Sequence, residues 1–227
     1  MVFRIGPLAV VAALLSPAPA YADNPVLDWI GMMNQVTLAS PLTNPLVTTR
    51  NVGLVSAAVF DAVNGIETRY RPLKVGRYTG PHASARAASI QAAYAMLLLL
   101  YPQQRPALDA QLTISLAGIS SGRDADRARE IAHGRAYGQR VADAIFAARA
   151  SDGFAPNPAP PFVGVVQVGF WRPTLAGTTG AGPQFATMTP WVLKRASQFR
   201  LGPPLPLTSA EYAADYNEVK MWGAAGS

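Results

Sequence analysis

The chain has 227 residues and no cysteine, which excludes disulfide bonds, thiolate nucleophiles and thiolate metal sites. Its 19 Lys and Arg residues outnumber its 13 Asp and Glu residues and give a formal net charge of +6. Beyond Arg4, the arginines are spread from Arg50 to Arg200 without a contiguous run of like charge, which is typical of a solvated surface. With no recognised nucleic-acid motif present, we predict no nucleic-acid partner.

The first 22 residues predict a signal peptide. Arg4 supplies a positive charge, the run from Ile5 to Leu15 is apolar, and Ala20-Tyr21-Ala22 fits the small-residue cleavage rule. The apolar run is shorter than the roughly 20 residues that are needed to span a bilayer. We therefore predict cleavage between Ala22 and Asp23, an exported chain in the periplasm or the medium, and no transmembrane segment.

Residues 23–152 predict a bundle of five helices with hardly any strand signal. Asn24-Pro25 and Asn44-Pro45 each combine an N-cap residue with proline at the first helical position. Apolar residues then recur at spacings of three and four, which is the period of one helix face. The five predicted helices run from Pro25 to before Pro41, within Asn44–Tyr70, over Ala83–Tyr101, from Pro106 to Ile119, and over about Arg123–Ala150.

Three of these helices carry features beyond an apolar face. Asp61 and Asn64 share a face of the second helix, and we interpret them as ties to neighbouring loops rather than as a catalytic pair. The alanine-rich third helix is apolar almost all round, which predicts burial between other helices. Gly134 and Gly138 lie on the apolar stripe of the fifth helix, where we expect them to admit another backbone.

Residues 153–208 hold half of the 20 prolines of the chain, which largely excludes regular structure. Their large aromatic residues favour an ordered irregular wrap, with rings inserted into grooves of the helical body, over a disordered linker. These aromatic residues are Phe154, Phe162, Phe170, Trp171, Phe185, Trp191 and Phe199. The segment Thr208-Ser209-Ala210-Glu211 fits a capping box that begins a final helix within residues 209–227.

The residues alone predict no catalytic, cofactor-binding or metal site. His133 lies near Glu130 and Asp126 on the fifth helix, but three ligands from one helix rarely close a tetrahedral metal site. His82 lies in a separate loop, and we favour a His133 that is paired with a carboxylate. Gly118–Gly122 only superficially resembles a nucleophile elbow, because no strand precedes it, and no phosphate-binding or dinucleotide-binding loop occurs.

Five pieces of the chain carry a family resemblance: VFDAVNGIETRYRPL (Val59–Leu73), ASARAASIQAAYAMLLLLYP (Ala83–Pro102), ARASDG (Ala148–Gly153), GFWRPT (Gly169–Thr174) and PLPLTSAEYAADYNEVKMWG (Pro204–Gly223). In this order they resemble the N-terminal half of bacterial vanadium-dependent haloperoxidase-like proteins, within the type-2 phosphatidic acid phosphatase superfamily. They cover nearly all of the chain after the predicted signal peptide. The resemblance implies an all-α fold of two packed bundles, with vanadate or phosphate held by the C-terminal bundle.

The oxyanion site that this resemblance implies uses a lysine followed by Arg-Pro, a Ser-Gly-His segment, and a later arginine and histidine. Such basic groups neutralise a tetrahedral oxyanion, while one histidine bonds vanadium or attacks phosphorus and the other acts as acid and base. Lys194 and Arg200 lie in KRASQFRLGPP, where the Arg-Pro is missing and no Ser-Gly-His follows. The family pattern places the site after the point where this chain stops. No catalytic residue therefore carries over, and vanadate is implied only for the other half.

Three functional hypotheses result. The preferred one is the N-terminal scaffold of a haloperoxidase- or phosphatase-like enzyme, which is inactive by itself and is partnered by a C-terminal bundle. The alternative is a stand-alone exported helical module that binds a protein partner. A third hypothesis, a small-molecule or metal carrier, would use His133. For the first, a surface left uncovered predicts self-association, with aromatic residues from Phe154 to Phe199 and Trp222 partly exposed.

Overall fold

The described part of the chain folds into six α-helices and contains no β-strand, which confirms the predicted all-α fold. The structure, a computed structural model, describes residues 24–40, 44–119 and 125–223, with residues 125 and 126 described without their side chains. The predicted signal peptide, its cut before Asp23 and the end of the Gly118–Gly122 turn lie outside the described residues. The helices are α1 (Pro25–Leu38), α2 (Pro45–Glu67), α3 (Ala85–Leu100), α4 (Arg105–Ala117), α5 (Ala125–Ala148) and α6 (Ala210–Trp222).

Capping side chains set the starts of several helices. Asn24 and Asn44 cap α1 and α2 as predicted, because each Oδ1 accepts hydrogen bonds from backbone N–H groups two or three residues further on. At α6 the cap is Ser209, whose Oγ accepts from the backbone N–H three residues later at 3.1 Å. The predicted capping box, which began at Thr208, is therefore one residue early. Either residue type can cap, so only the backbone path could decide between them.

The alanine-rich helix α3 is the centre of the bundle, as its composition predicted. It packs against α1, α2, α4 and α5, with its largest contact on α5. Ile90, Met96 and Leu97 of α3 are 0% exposed. Burial of each such side chain contributes about 1.5–3 kcal/mol to folding, so this helix supplies much of the hydrophobic stabilisation of the bundle.

Two glycines of α5 permit its close approach to α3. A Cβ atom added at Gly134 would collide with the carbonyl oxygen of Ser84, and one added at Gly138 would collide with the carbonyl oxygen of Ala88. The prediction that these glycines admit another backbone is confirmed. Each glycine costs roughly 1 kcal/mol of helix propensity relative to alanine. The packing of two backbones in contact offsets that cost.

The chain after α5 is irregular until α6, apart from a 3-10 turn at Pro183–Ala186. Phe154, Phe185 and Trp191 are partly buried, and the ring of Phe154 lies 6.0 Å from that of Phe185 in an edge-to-face arrangement. The expectation that all the rings insert into grooves is wrong for the other four, since prolines and turns give this backbone no repeating buried face. Those exposed rings are Phe162, Phe170, Trp171 and Phe199.

Candidate interaction surface

A buried ion cluster joins the irregular segment to the bundle. Asp152 Oδ2 lies 3.0 Å from Arg50 Nη2 of α2 and 2.9 Å from Arg149 Nε at the end of α5. The side chains of Arg50, Asp152 and Arg149 are only 10%, 2% and 9% exposed. One carboxylate thus compensates two guanidinium groups in an environment where charge is poorly solvated.

Each arginine of this cluster also binds a backbone carbonyl and an aromatic ring. Arg50 Nη2 donates to the carbonyl of Arg149 at 3.0 Å, and Arg149 Nη2 donates to the carbonyl of Thr189 at 2.7 Å. The Arg50 guanidinium lies 4.3 Å from the ring centroid of Phe154, and that of Arg149 lies 4.2 Å from the ring of Trp191. Because both cations are engaged inside the protein, the cluster is a structural clamp rather than a site for an external anion.

The predicted ties on α2 are present. Asp61 is 0% exposed, and its two carboxylate oxygens accept hydrogen bonds from the backbone N–H groups of residues 73–75, each at 2.8 Å. Asn64 accepts from the backbone N–H of Tyr70 at 2.7 Å and donates to its carbonyl at 2.8 Å. The polar atoms of both side chains are therefore hydrogen-bonded to the loop that follows α2. This confirms the interpretation of Asp61 and Asn64 as ties to a neighbouring loop rather than as a catalytic pair.

The ring of His133 contacts the backbone of His82. His133 Nδ1 lies 3.1 Å from the backbone carbonyl oxygen of His82, so the partner described for it is a carbonyl rather than the expected carboxylate. The side chain of Asp126 lies outside the described residues. Among the described residues, no group of three or more His, Cys, Asp and Glu side chains could hold a metal ion. Lys194 and Arg200 are both exposed, which is unlike a buried oxyanion site.

A groove of about 550 Å³ lies between the start of α2 and the irregular segment. Its lining is mostly proline, glycine and alanine, and includes no ionisable side chain. Gln184 Oε1 is buried there and has no hydrogen-bond partner among the described residues. The groove could therefore hold a ligand by its shape and through backbone hydrogen bonds, but its lining has no group that could transfer a proton near neutral pH.

The helix α6 presents apolar side chains that are mostly exposed within the described part of the chain. No residue of α6 is buried. Tyr216, Val219 and Trp222 are 59%, 70% and 73% exposed. Tyr216 and Val219 are three residues apart and share a face of the helix. A soluble helix ordinarily buries such a face, so α6 is a candidate docking element.

A second uncovered surface is the loop of residues 162–171, which we call the valine loop. Val163, Val166 and Val168 are 73%, 91% and 70% exposed. The loop is closed at its base, where the rings of Phe162 and Trp171 lie 5.5 Å apart between centroids. The valine loop and α6 together are the surface of this chain that best fits a binding role.

Sequence reasoning missed the ion cluster. It treated Arg50 as one of the dispersed arginines and ended the fifth helix at about Ala150, and nothing linked residues 102 positions apart. One local signal was available: Arg149 and Asp152 are three residues apart at the end of α5, a spacing at which opposite charges can pair. The contribution of Arg50 from α2 has no signal in the sequence.

The helix α2 is, within the described residues, the single helix long and apolar enough to cross a membrane by length and composition. Its packing against α3 and α5 and its buried Asn51, Asp61 and Asn64 also fit a core helix of a bundle. Comparison of the chain with models of protein families, with curated proteins and with solved structures gives no match.

Proposed function

We propose that this chain is the N-terminal scaffold portion of an exported protein of the vanadium-dependent haloperoxidase and phosphatidic acid phosphatase type. In this proposal α6 docks a second helical bundle, which supplies the oxyanion site and holds vanadate or phosphate. The proposal is supported by one structural observation: α6 is a regular, capped helix of which no residue is buried. A partner that covers the exposed Tyr216 and Val219 would stabilise such a helix, because isolated helices of this length are marginal in water.

The described chemistry agrees with a scaffold role. Asp61 and Asn64 are engaged by a loop, Arg50 and Arg149 are engaged by Asp152, and His133 contacts a backbone carbonyl. We therefore expect the purified chain, supplied with vanadate, peroxide and bromide, to brominate a reporter phenol no faster than buffer. We also expect no hydrolysis of p-nitrophenyl phosphate. Turnover that persists through purification to constant specific activity would overturn the scaffold proposal.

The docking role of α6 predicts self-association when no second bundle is present. Tyr216→Ser combined with Val219→Asp should reduce both hydrophobic-dye binding and the sedimentation coefficient at micromolar concentration, because the apolar face is lost. Ile114→Asp is the matched control, since Ile114 is 66% exposed on α4 and lies outside this face. Equal effects of the two variants would contradict a specific role of α6.

One observation favours the alternative of a stand-alone exported module that binds a protein partner. The bundle α1–α5 closes its own core, with Leu54, Ala58 and Leu108 at 0% exposure. A compact, dye-negative monomer with a sharp thermal transition would therefore favour the module.

Export is common to both proposals, and the N-terminal residue of protein recovered from the periplasm or medium should be Asp23.

A further inference from the structure

The valine loop differs from an ordinary exposed loop in its composition and its closure. Residues 162–171 contain no charged side chain, and most of them are apolar. Loops in water are ordinarily polar, with Gly, Pro, Asn, Asp and Ser dominating their turns. A Cβ atom added at Gly164 would collide with the carbonyl oxygen of Trp171, so the two arms of the loop are in backbone contact. The loop therefore presents its valines from a closed base.

The segment of the chain that carries the loop has only basic charged residues. Between residues 153 and 208 the charged residues are Arg172, Lys194, Arg195 and Arg200, with no Asp or Glu among them. All four are exposed, and Arg172 directly follows the loop. The helix α6 is different, because it carries Glu211, Asp215 and Glu218 against one lysine. The two apolar surfaces of the chain therefore suit partners of different charge.

We propose that the valine loop inserts into the interfacial layer of a bilayer that contains anionic phospholipid. Uncharged valines can enter the acyl boundary without desolvating a charge, which is the costly step for a polar loop. Trp171 at the base fits the headgroup depth, where amphipathic aromatic rings are enriched, and Phe162 packs beside it. Arg172, which directly follows the loop and is exposed, is placed to meet lipid phosphates, and the other basic residues of the segment add to an attraction that acts within a Debye length of the surface.

The positive charge of residues 153–208 favours an anionic lipid surface over a protein as the partner of the valine loop. An apolar protein partner would satisfy the valines equally well, but it does not account for a stretch of 153–208 from which every carboxylate is absent. An anionic lipid surface accounts for both features at once, since it combines a hydrocarbon layer with a negative potential. The loop is also separate in sequence from α6, so the proposal does not depend on the scaffold function.

Flotation of the full chain with vesicles tests the proposal. We expect binding to vesicles of phosphatidylglycerol mixed with phosphatidylcholine, weaker binding at high salt, and little binding to phosphatidylcholine alone. Val166→Asp combined with Val168→Asp should lower the partition coefficient by about tenfold or more, because two carboxylates oppose insertion and are repelled by the lipid. Ile114→Asp on α4 is the matched control and should bind as the unaltered chain. Residues 1–22 are common to all these variants, so differences between variants report on the loop.

A local readout separates the loop from the rest of the chain. Brominated phosphatidylcholine in the anionic vesicles should quench Trp fluorescence, and Trp171→Phe should remove most of that quenching while the chain remains bound. Equal binding to neutral and anionic vesicles would overturn the proposal, as would an unchanged partition of the Val166→Asp, Val168→Asp variant. A loop variant that binds vesicles normally but no longer self-associates would show that the loop contacts protein instead. The Tyr216→Ser, Val219→Asp variant of α6 should leave vesicle binding unchanged, so failure of this proposal and failure of the scaffold proposal are distinguishable.

Discussion

The bundle α1–α5 and the chain after Gly153 contain the same kinds of apolar side chain but bury them to opposite extents. Leu54 and Leu97 of the bundle are 0% exposed, whereas Val166 and Leu201 of the irregular segment are 91% and 90% exposed. In the bundle, a repeat of three and four residues places apolar groups on one face, where a neighbouring helix covers them. The irregular backbone has no such repeat. Apolar content without a period therefore leaves these side chains exposed here rather than in a core.

The buried carboxylate of Asp152 joins the two regions. Its removal should lower the free energy of unfolding more than any other change proposed here. Asp152→Ala leaves Arg50 and Arg149 in a buried site without a counter-charge. We expect the free energy of unfolding to fall by about 3–5 kcal/mol. The irregular segment should also become the first site of proteolysis, because its contacts through Thr189 and Trp191 depend on the orientation of Arg149. Urea unfolding and limited proteolysis with mass spectrometry measure the two effects.

An exposed ion pair supplies the control for this prediction. Arg69 Nε lies 3.0 Å from Glu67 Oε2, with the two side chains 71% and 38% exposed. Glu67→Ala should change the free energy of unfolding by at most about 1 kcal/mol, because water solvates both charges. If Asp152→Ala costs no more than Glu67→Ala, the ion cluster does not hold the two regions together.

The close contact between α3 and α5 predicts an intermediate change in the free energy of unfolding when Gly138 is replaced. Gly138→Ala places a methyl group against the backbone of Ala88 and should destabilise the protein by about 1–3 kcal/mol, although alanine is the better helix former. Gly31→Ala in α1 meets nothing within 4 Å and should stabilise by up to about 1 kcal/mol. The midpoint of urea unfolding for the pair measures this difference in sign. Two shifts of the same sign would mean that α5 moves away from α3 at little cost.

Local patterns predicted the bundle well and the outer region poorly. Asn44, Asp61 and Gly138 each have a role that follows from neighbours in sequence: a cap before proline, a polar interruption on an apolar face, and a small residue in a stripe. The ion cluster of Arg50 and Asp152 depends on where a turn returns to the bundle, which no local repeat encodes. The sequence supported both rings inserted into grooves and rings left partly exposed, and it could not assign individual rings to either group for a related reason. Aromatic content shows that a segment can bury surface, but a docking loop and a buried wrap share that composition.

The smallest expected effect is a loss of stability at alkaline pH. It tests whether water is excluded from the interior of the bundle. Tyr137 is 1% exposed, and its hydroxyl donates to the carbonyl of Gly76 at 2.8 Å. Burial raises the pKa of Tyr137, the buried Asp61 carboxylate raises it further, and Arg140 opposes the rise. Its pKa in the folded chain is thus above the value of roughly 10 expected when unfolded.

Above pH ~10 the unfolded chain releases the Tyr137 proton while the folded chain keeps it, so the free energy of unfolding falls as pH rises through the folded pKa. The contribution of Tyr137 is fully present below pH ~10. Urea unfolding at closely spaced pH values on either side of pH ~10 measures the slope. Tyr137→Phe should be less stable by about 1 kcal/mol at neutral pH, because the hydrogen bond is lost, and should show a shallower alkaline decline. Parallel declines in the two proteins would show that water reaches the Tyr137 hydroxyl and that the bundle interior is less closed than its packing indicates.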